Sequence, residues 1–344
     1  MDRKSKKRAK SKEKVSLSAT DAKQLAMRDV VSNCSETLDM TIRIKNITFA
    51  NPVLLASGTY GLGKDFVTVI NKVGGFITKG ITLLPRTGNP PPRIYELPGA
   101  ILNSIGLENP GAHAFRTNIM PRLRFLCPLI INIAGFSIDE FSTLVKILDC
   151  ERVAGFEINV SCPNVKTGGT IFGQDPKQTA QIVKAVRRAT KKLVITKLTA
   201  NFIDPAITAK AAEDEGSDAV SLINTLYGLA IDIENNQYFL GGKVGGLSGP
   251  ALKPFTLYCI ERVRESTVIP IIGCGGITNA TDIVEFILAG ASLVQIGSIN
   301  LINPFAALTI LDDLQEYMKA KKIETIRTLI GRIRSSDDTT HLSS

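Results

Sequence analysis

Beyond residue 40, short apolar runs rich in β-branched residues recur along the chain, and most are followed by stretches with apolar residues at helical spacing. The apolar runs fall at 52–56, 75–79, 129–133, 155–159, 193–197, 218–223, 268–272 and 292–296. Helices are predicted at 65–73, 138–149, 176–191, 205–216, 254–266, 280–290 and 304–320. Short all-apolar strands separated by amphipathic helices imply a parallel sheet buried on both faces. Eight of them favour a closed (β/α)8 TIM barrel, an α/β fold, over an open doubly wound sheet. The alternation in 41–49 predicts a short N-terminal hairpin plugging the barrel floor. One domain, 40–333, is therefore expected, after a basic, disordered extension at 1–39 and before a polar tail at 334–344.

A TIM barrel places its chemistry at the carboxyl ends of its strands. Those ends carry Ser57, Lys79-Gly80, Asn132, Asn159, Lys197 and Asn224-Thr225, then Gly273-Cys274-Gly275-Gly276 and Gly297-Ser298. The most informative stretch follows the fourth run: Asn159-Val160-Ser161-Cys162-Pro163-Asn164-Val165-Lys166-Thr167-Gly168-Gly169. A thiol there can serve as nucleophile or base once its surroundings favour the thiolate. The plain alternative is a small buried Cys beside a turn. Glycine pairs running from strands into helices can cradle a phosphate on backbone N–H groups. A third glycine-rich segment, 245–250, is expected to open the helix before the seventh strand. Lys79 and Lys197 are costly at a barrel rim unless paired. Each is either paired with a carboxylate or set beside a flavin, where a cation stabilises the charge gained on reduction. Asparagines 103, 132, 159 and 224 offer donors and acceptors without charge, suited to a planar amide-rich substrate.

Composition narrows the chemistry further. With two histidines, His113 and His341, a Ser-His-Asp triad or a His-rich metal centre is hard to assemble. The six cysteines form no Cys-x-x-Cys pair, so neither a zinc ribbon nor an iron–sulfur cluster is encoded. No Gly-x-Gly-x-x-Gly follows the first strand, which leaves a Rossmann dinucleotide site unsupported. The net charge of +9 is concentrated at the start, where residues 1–14 hold eight Lys/Arg against two acids. The remainder is too weakly basic to argue for nucleic acid. No apolar run reaches the roughly 18 residues of a membrane span, and no signal peptide opens the chain. A cytoplasmic location is expected.

Taken together, several segments resemble the dihydroorotate dehydrogenase family. They are 159–169, 102–111, Ile223-Asn224-Thr225, 245–251 and 271–277, and the likeness runs from about 40 to 333. The cysteine resembles class 1, and the Val-Lys-Thr-Gly-Gly continuation resembles its NAD-linked B subtype. The resemblance implies an FMN barrel oxidising dihydroorotate to orotate in pyrimidine biosynthesis, with Cys162 as general base. It implies flavin contacts from Ser57, Lys79, Gly80, Asn132, Asn159, Lys197, Ile223, Gly249, Gly275, Gly276, Gly297 and Ser298. Substrate would be held by Lys79, Asn103, Ser104, Ile105, Gly106, Leu107, Asn159, Asn224 and Thr225. FAD and a [2Fe–2S] cluster would belong to a partner subunit, in a heterotetramer around a homodimer of this chain. The alternatives are a fumarate-linked class 1 enzyme, or a related FMN barrel acting on another dihydropyrimidine. A non-enzymatic binding role for the basic tail is the third reading.

Overall fold

The computed structural model describes residues 38–161, 163–164 and 170–333. Eight parallel strands close into a barrel, each paired with the next and the last with the first. They are β1 (Val53–Leu55), β2 (Gly75–Ile77), β3 (Leu129–Ile133), β4 (Val153–Asn159), β5 (Leu193–Lys197), β6 (Ala219–Leu222), β7 (Ile271–Cys274) and β8 (Ala291–Ile296). The expected TIM barrel is the observed fold. The hairpin is present too, with Ile42–Ile44 antiparallel to Ile47–Phe49. Phe49 and Ile42 are buried. The Lys45 ammonium at the turn donates to Lys192 O at 3.1 Å and Asp218 Oδ2 at 3.0 Å, both beside strand starts, so the hairpin lies at the floor.

Local signals explain where the helices begin and end. Ser137 caps helix Ile138–Leu148 by accepting from Glu140 N, and Phe141, Leu144, Val145 and Leu148 form its buried stripe. Side chains of that kind stabilise by about 1.5–3 kcal/mol each on full burial. Asn279 and Asp282 form a reciprocal capping box on Ala280–Ala289, and Gly290 ends that helix at φ 127°.

Three expectations need correction. The helix at 65–73 shrinks to Val67–Ile70: Phe66 just before it is left-handed at φ 57°, and past its end the chain packs tightly at Gly74, where a Cβ would meet Asn51 O at 2.0 Å. The seventh strand runs Ile271–Cys274 instead of 268–272: Pro270 has no N–H to pair, and Val268 is 95% exposed. The segment at 245–250 is not simply a helix opening. Gly245–Ser248 is a strand in an antiparallel sheet ordered Leu226–Gly228, Gly245–Ser248, Ala100–Asn103, Ile94–Leu97. Its glycines permit close packing, since a Cβ on Gly246 would sit 2.1 Å from Thr225 Oγ1. Leu38 and Asp39 join the folded unit as well, through Asp39 N donating to Glu324 O and an Asp39–Arg327 ion pair. Residues 1–37 and 334–344 lie outside the described residues. Among those described, no helix is long and apolar enough to cross a membrane.

Candidate active site

A barrel interior is ordinarily filled by layers of branched apolar side chains. Here its upper part is polar. Glu157 on β4 is fully buried and accepts three hydrogen bonds. Asn132 Nδ2 on β3 donates to Oε1 at 2.7 Å, while Ser221 Oγ on β6 (2.8 Å) and Gln295 Nε2 on β8 (2.6 Å) donate to Oε2. The other end of the Gln295 amide accepts from Lys197 Nζ at 2.7 Å, and Cys274 Sγ lies 3.6 Å from the same ammonium. Burial alone would lower the Lys197 pKa, but the Cys274 sulfur and the Glu157 carboxylate outweigh it and raise it. Asn132 Oδ1 is buried with no partner. A methyl group on Gly80 would come within 3.0 Å of it, so glycine keeps that acceptor open. An orphaned buried acceptor in the same hydrogen-bond network as a held cation fits an amide-edged ring such as a flavin's.

The glycine positions gather on the side of β7 and β8. Gly249, Pro250, Thr278, Ser298 and Ile299 share a cavity of about 140 Å³ with the 96–101 hairpin. Gly275 and Gly276 have φ 136° and 90°, which L side chains rarely adopt, and a Cβ on Gly276 would meet Lys253 N at 2.6 Å. That contact puts the turn after β7 against the N-terminus of helix Lys253–Ser266, an end suited to anions. Gly297 packs by β1, where a Cβ would meet only Ala56 Cβ, at 3.6 Å. Ser57 lies in the turn two residues past the end of β1 and is half-buried. Ile223 is buried beside β7, its N–H donating to Cys274 O at 2.8 Å.

Over the mouth, Asn224 Nδ2 donates to Asn159 Oδ1 at 3.2 Å and Ser161 Oγ at 2.9 Å. Asn103 Nδ2 reaches Gly246 O at 3.2 Å, and Gly246 backs onto Thr225. Leu107 lies over Gly80. These residues lie together on one side of the barrel mouth, and the residues between Asn103 and Leu107 also bond within the loop. Ser104 is buried and bonded to Val244 O and Asn89, Ile105 O accepts from Asn89 N, and Gly106 packs on the Asn89 side chain. Lys79 is half-buried, and no hydrogen bond or ion pair of its ammonium is found among the described residues. Burial lowers its pKa; Glu108 opposes and Arg93, paired with Glu108 at 2.6 Å, assists. Cys162 and Val165 to Gly169 lie outside the described residues.

The family model for dihydroorotate dehydrogenase matches residues 39–318. This chain belongs to the dihydroorotate dehydrogenase family. It is 46% identical over 299 residues to the "Dihydroorotate dehydrogenase B (NAD(+)), catalytic subunit" of Pelobacter propionicus, covering 86% of this chain and 98% of that protein. The protein of the same name from Thermoanaerobacter pseudethanolicus is 44% identical over 300 residues, covering 86% and 99%. Among solved structures, a dihydroorotate dehydrogenase from Eimeria tenella in complex with ferulenol shares the fold. Its TM-score is 0.70 at 23% identity, over 92% of this chain and 95% of that one.

Within this dehydrogenase-family barrel, the sequence reading missed Glu157, Gln295 and Ser221 as members of the site. A signal was available. Glu and Gln interrupt the otherwise apolar runs Gly155-Phe156-Glu157-Ile158 and Leu293-Val294-Gln295-Ile296. Polar groups buried in a barrel strand persist only when partnered.

Proposed function

We propose that this chain oxidises dihydroorotate to orotate with FMN, as the catalytic subunit of an NAD-linked enzyme. The observation that carries the reading is the convergence at one barrel mouth of the Lys197 cation, the open Asn132 carbonyl and the Gly249–Ser298 cavity. The relatives named as B-type catalytic subunits, at 44–46% identity, support the choice of substrate and acceptor. Bound FMN would supply a two-electron acceptor for a hydride. Lys197 and Asn132 would meet its ring, and Ser57, Gly80, Ile223 and Gly297 its edges. The turns at Gly249, Gly275, Gly276 and Ser298 would hold its phosphate. The Asn159–Asn224 pair, Asn103, Ser104, Ile105, Gly106, Leu107 and Thr225 would orient the planar substrate, with Lys79 taking its carboxylate. Cys162 would remove the proton from the carbon next to the hydride-donating one. The cytoplasm is the proposed compartment. FAD and a [2Fe–2S] cluster are proposed for a partner subunit, in a heterotetramer built around a homodimer of this chain.

The test is the absorbance of the purified chain with and without dihydroorotate, for wild type and Cys162→Ala. Wild type should be yellow and bleach on substrate. Cys162→Ala should stay yellow but bleach about 10²–10⁴-fold more slowly, the usual contribution of a general base. A colourless wild type, or a variant reduced at the wild-type rate, would remove the cofactor or the thiol from the reading. Adding NAD⁺ should give NADH only when the partner subunit is present. Turnover with fumarate by the lone chain would point to the other subtype.

A further inference from the structure

Lys197 and Glu157 are opposite charges inside one barrel, yet they do not touch: Gln295 stands between them. Strand register explains what the spacer achieves. Glu157 is level with Ile195 of β5, whereas Lys197 is level with Asn159, two residues nearer the carboxyl ends. A direct ion pair would draw the ammonium down to the level that Glu157 shares with Asn132, away from the strand ends. An amide is suited to the gap, because it accepts from the cation at one end and donates to the carboxylate at the other. Glu157 meets only donors, the arrangement an ionised carboxylate takes, and a third donor, Ser221, fixes it from β6. The same carboxylate holds Asn132, which is level with it across the β3–β4 ladder, so that Oδ1 is left open.

We infer that Glu157 and Gln295 are positioning residues: the buried carboxylate is the counter-charge of Lys197, and the Gln295 amide is the spacer that keeps the ammonium at the mouth where the flavin would lie. This inference rests on the flavin reading above. Neither residue touches the reacting atoms; both act through Lys197 and Asn132. Replacing Gln295 by Met conserves length and removes both of its hydrogen bonds, leaving Lys197 with only the longer contact to Cys274 Sγ at 3.6 Å. A cation that drifts from the flavin stabilises the reduced, negatively charged form less. Reduced FMN should then bind about tenfold more weakly relative to oxidised FMN, a fall of about 30 mV in a two-electron midpoint.

The experiment measures FMN affinity by fluorescence titration, and the midpoint potential of the bound flavin by dye equilibration. It uses the full chain as wild type, Gln295→Met, Lys197→Met and the double variant. The potential should fall in Gln295→Met, and the substitution should add nothing in the Lys197→Met background, because both act on one interaction. Gln295→Leu, made in parallel, should show the same dependence on Lys197 if the Met variant does not fold. An equal fall in both backgrounds would overturn the relay. So would an unchanged potential in folded Gln295 variants, or loss of FMN from them when Lys197→Met retains it. A wild-type chain that binds no FMN would remove the flavin reading and this inference together. A wild type that binds FMN, with Gln295 variants that do not respond, would remove this inference alone.

Discussion

Lys197, at the end of β5, and Lys79, two residues past the end of β2, serve the same barrel mouth but are held in contrasting ways. Lys197 is buried and anchored, its charge supported from below by Gln295 and Glu157. Lys79 is half-buried, with no bond to its ammonium among the described residues, and its pKa is pushed down where that of Lys197 is pushed up. Under the proposed function, the difference shows how one rim would divide its work. A charge meant for a bound cofactor can be prepared by the barrel itself, since the cofactor's place does not change between turnovers. A charge meant for a substrate that enters and leaves is better left unsatisfied, because a strong internal partner would compete with each incoming molecule.

Removing each lysine should separate the two roles. The largest effect is expected for Lys197→Met, which leaves Glu157 as a buried charge without its counter-charge. Loss of one partner of a buried pair costs about 3–5 kcal/mol. Chemical denaturation should register a loss of that order, together with weaker FMN uptake. Lys79→Met should cost less than about 1 kcal/mol by the same measurement, because no ion pair is broken. Comparable destabilisation of both variants would erase the contrast.

Turnover should sharpen the contrast from the other side. Lys79→Met should keep its flavin yet lose about 10–100-fold in kcat/KM for dihydroorotate, as expected when a charge-assisted hydrogen bond of about 1.5–3 kcal/mol is removed. Steady-state kinetics with an electron-accepting dye would check this. An unaltered kcat/KM would take Lys79 out of the substrate site.

The smallest effect should appear in alkaline solution. A lysine whose folded pKa is raised contributes stability that is fully present below its unfolded value near 10.5 and lost as pH rises through the folded value. Lys197 should therefore steepen alkaline destabilisation above that point. For Lys79 the sign reverses. Its folded pKa lies below 10.5, so the folded state binds fewer protons than the unfolded one, and stability rises with pH between the two values. Denaturation midpoints followed from neutral to alkaline pH in Lys197→Met and Lys79→Met should deviate from wild type in opposite directions. Deviations of the same sign would contradict these shifts.

Much of this contrast has its origin in the sequence alone. Strand and helix periodicity are local properties, so the repeat that makes the barrel was readable from apolar spacing. The placement of both lysines and of asparagines 132 and 159 at strand ends followed from counting along each run. What could not be read was the level at which each inward side chain sits. A period of two decides which face a residue occupies, but only closure of the sheet decides which residues of distant strands meet. Gln295 and Glu157 are 138 positions apart in the chain, and Ser221 and Glu157 are 64 apart. Their meeting depends on the register of the whole ring, set by every strand pairing at once. For the same reason the motif could not show that Ser104 and Gly106 pack on Asn89, 15 and 17 positions earlier in the chain. The chemical groups and the end of the barrel that holds them were decided by the order of residues. Which carboxylate balances which cation was decided only by the closed barrel, because a buried charge finds its partner in space and not along the chain.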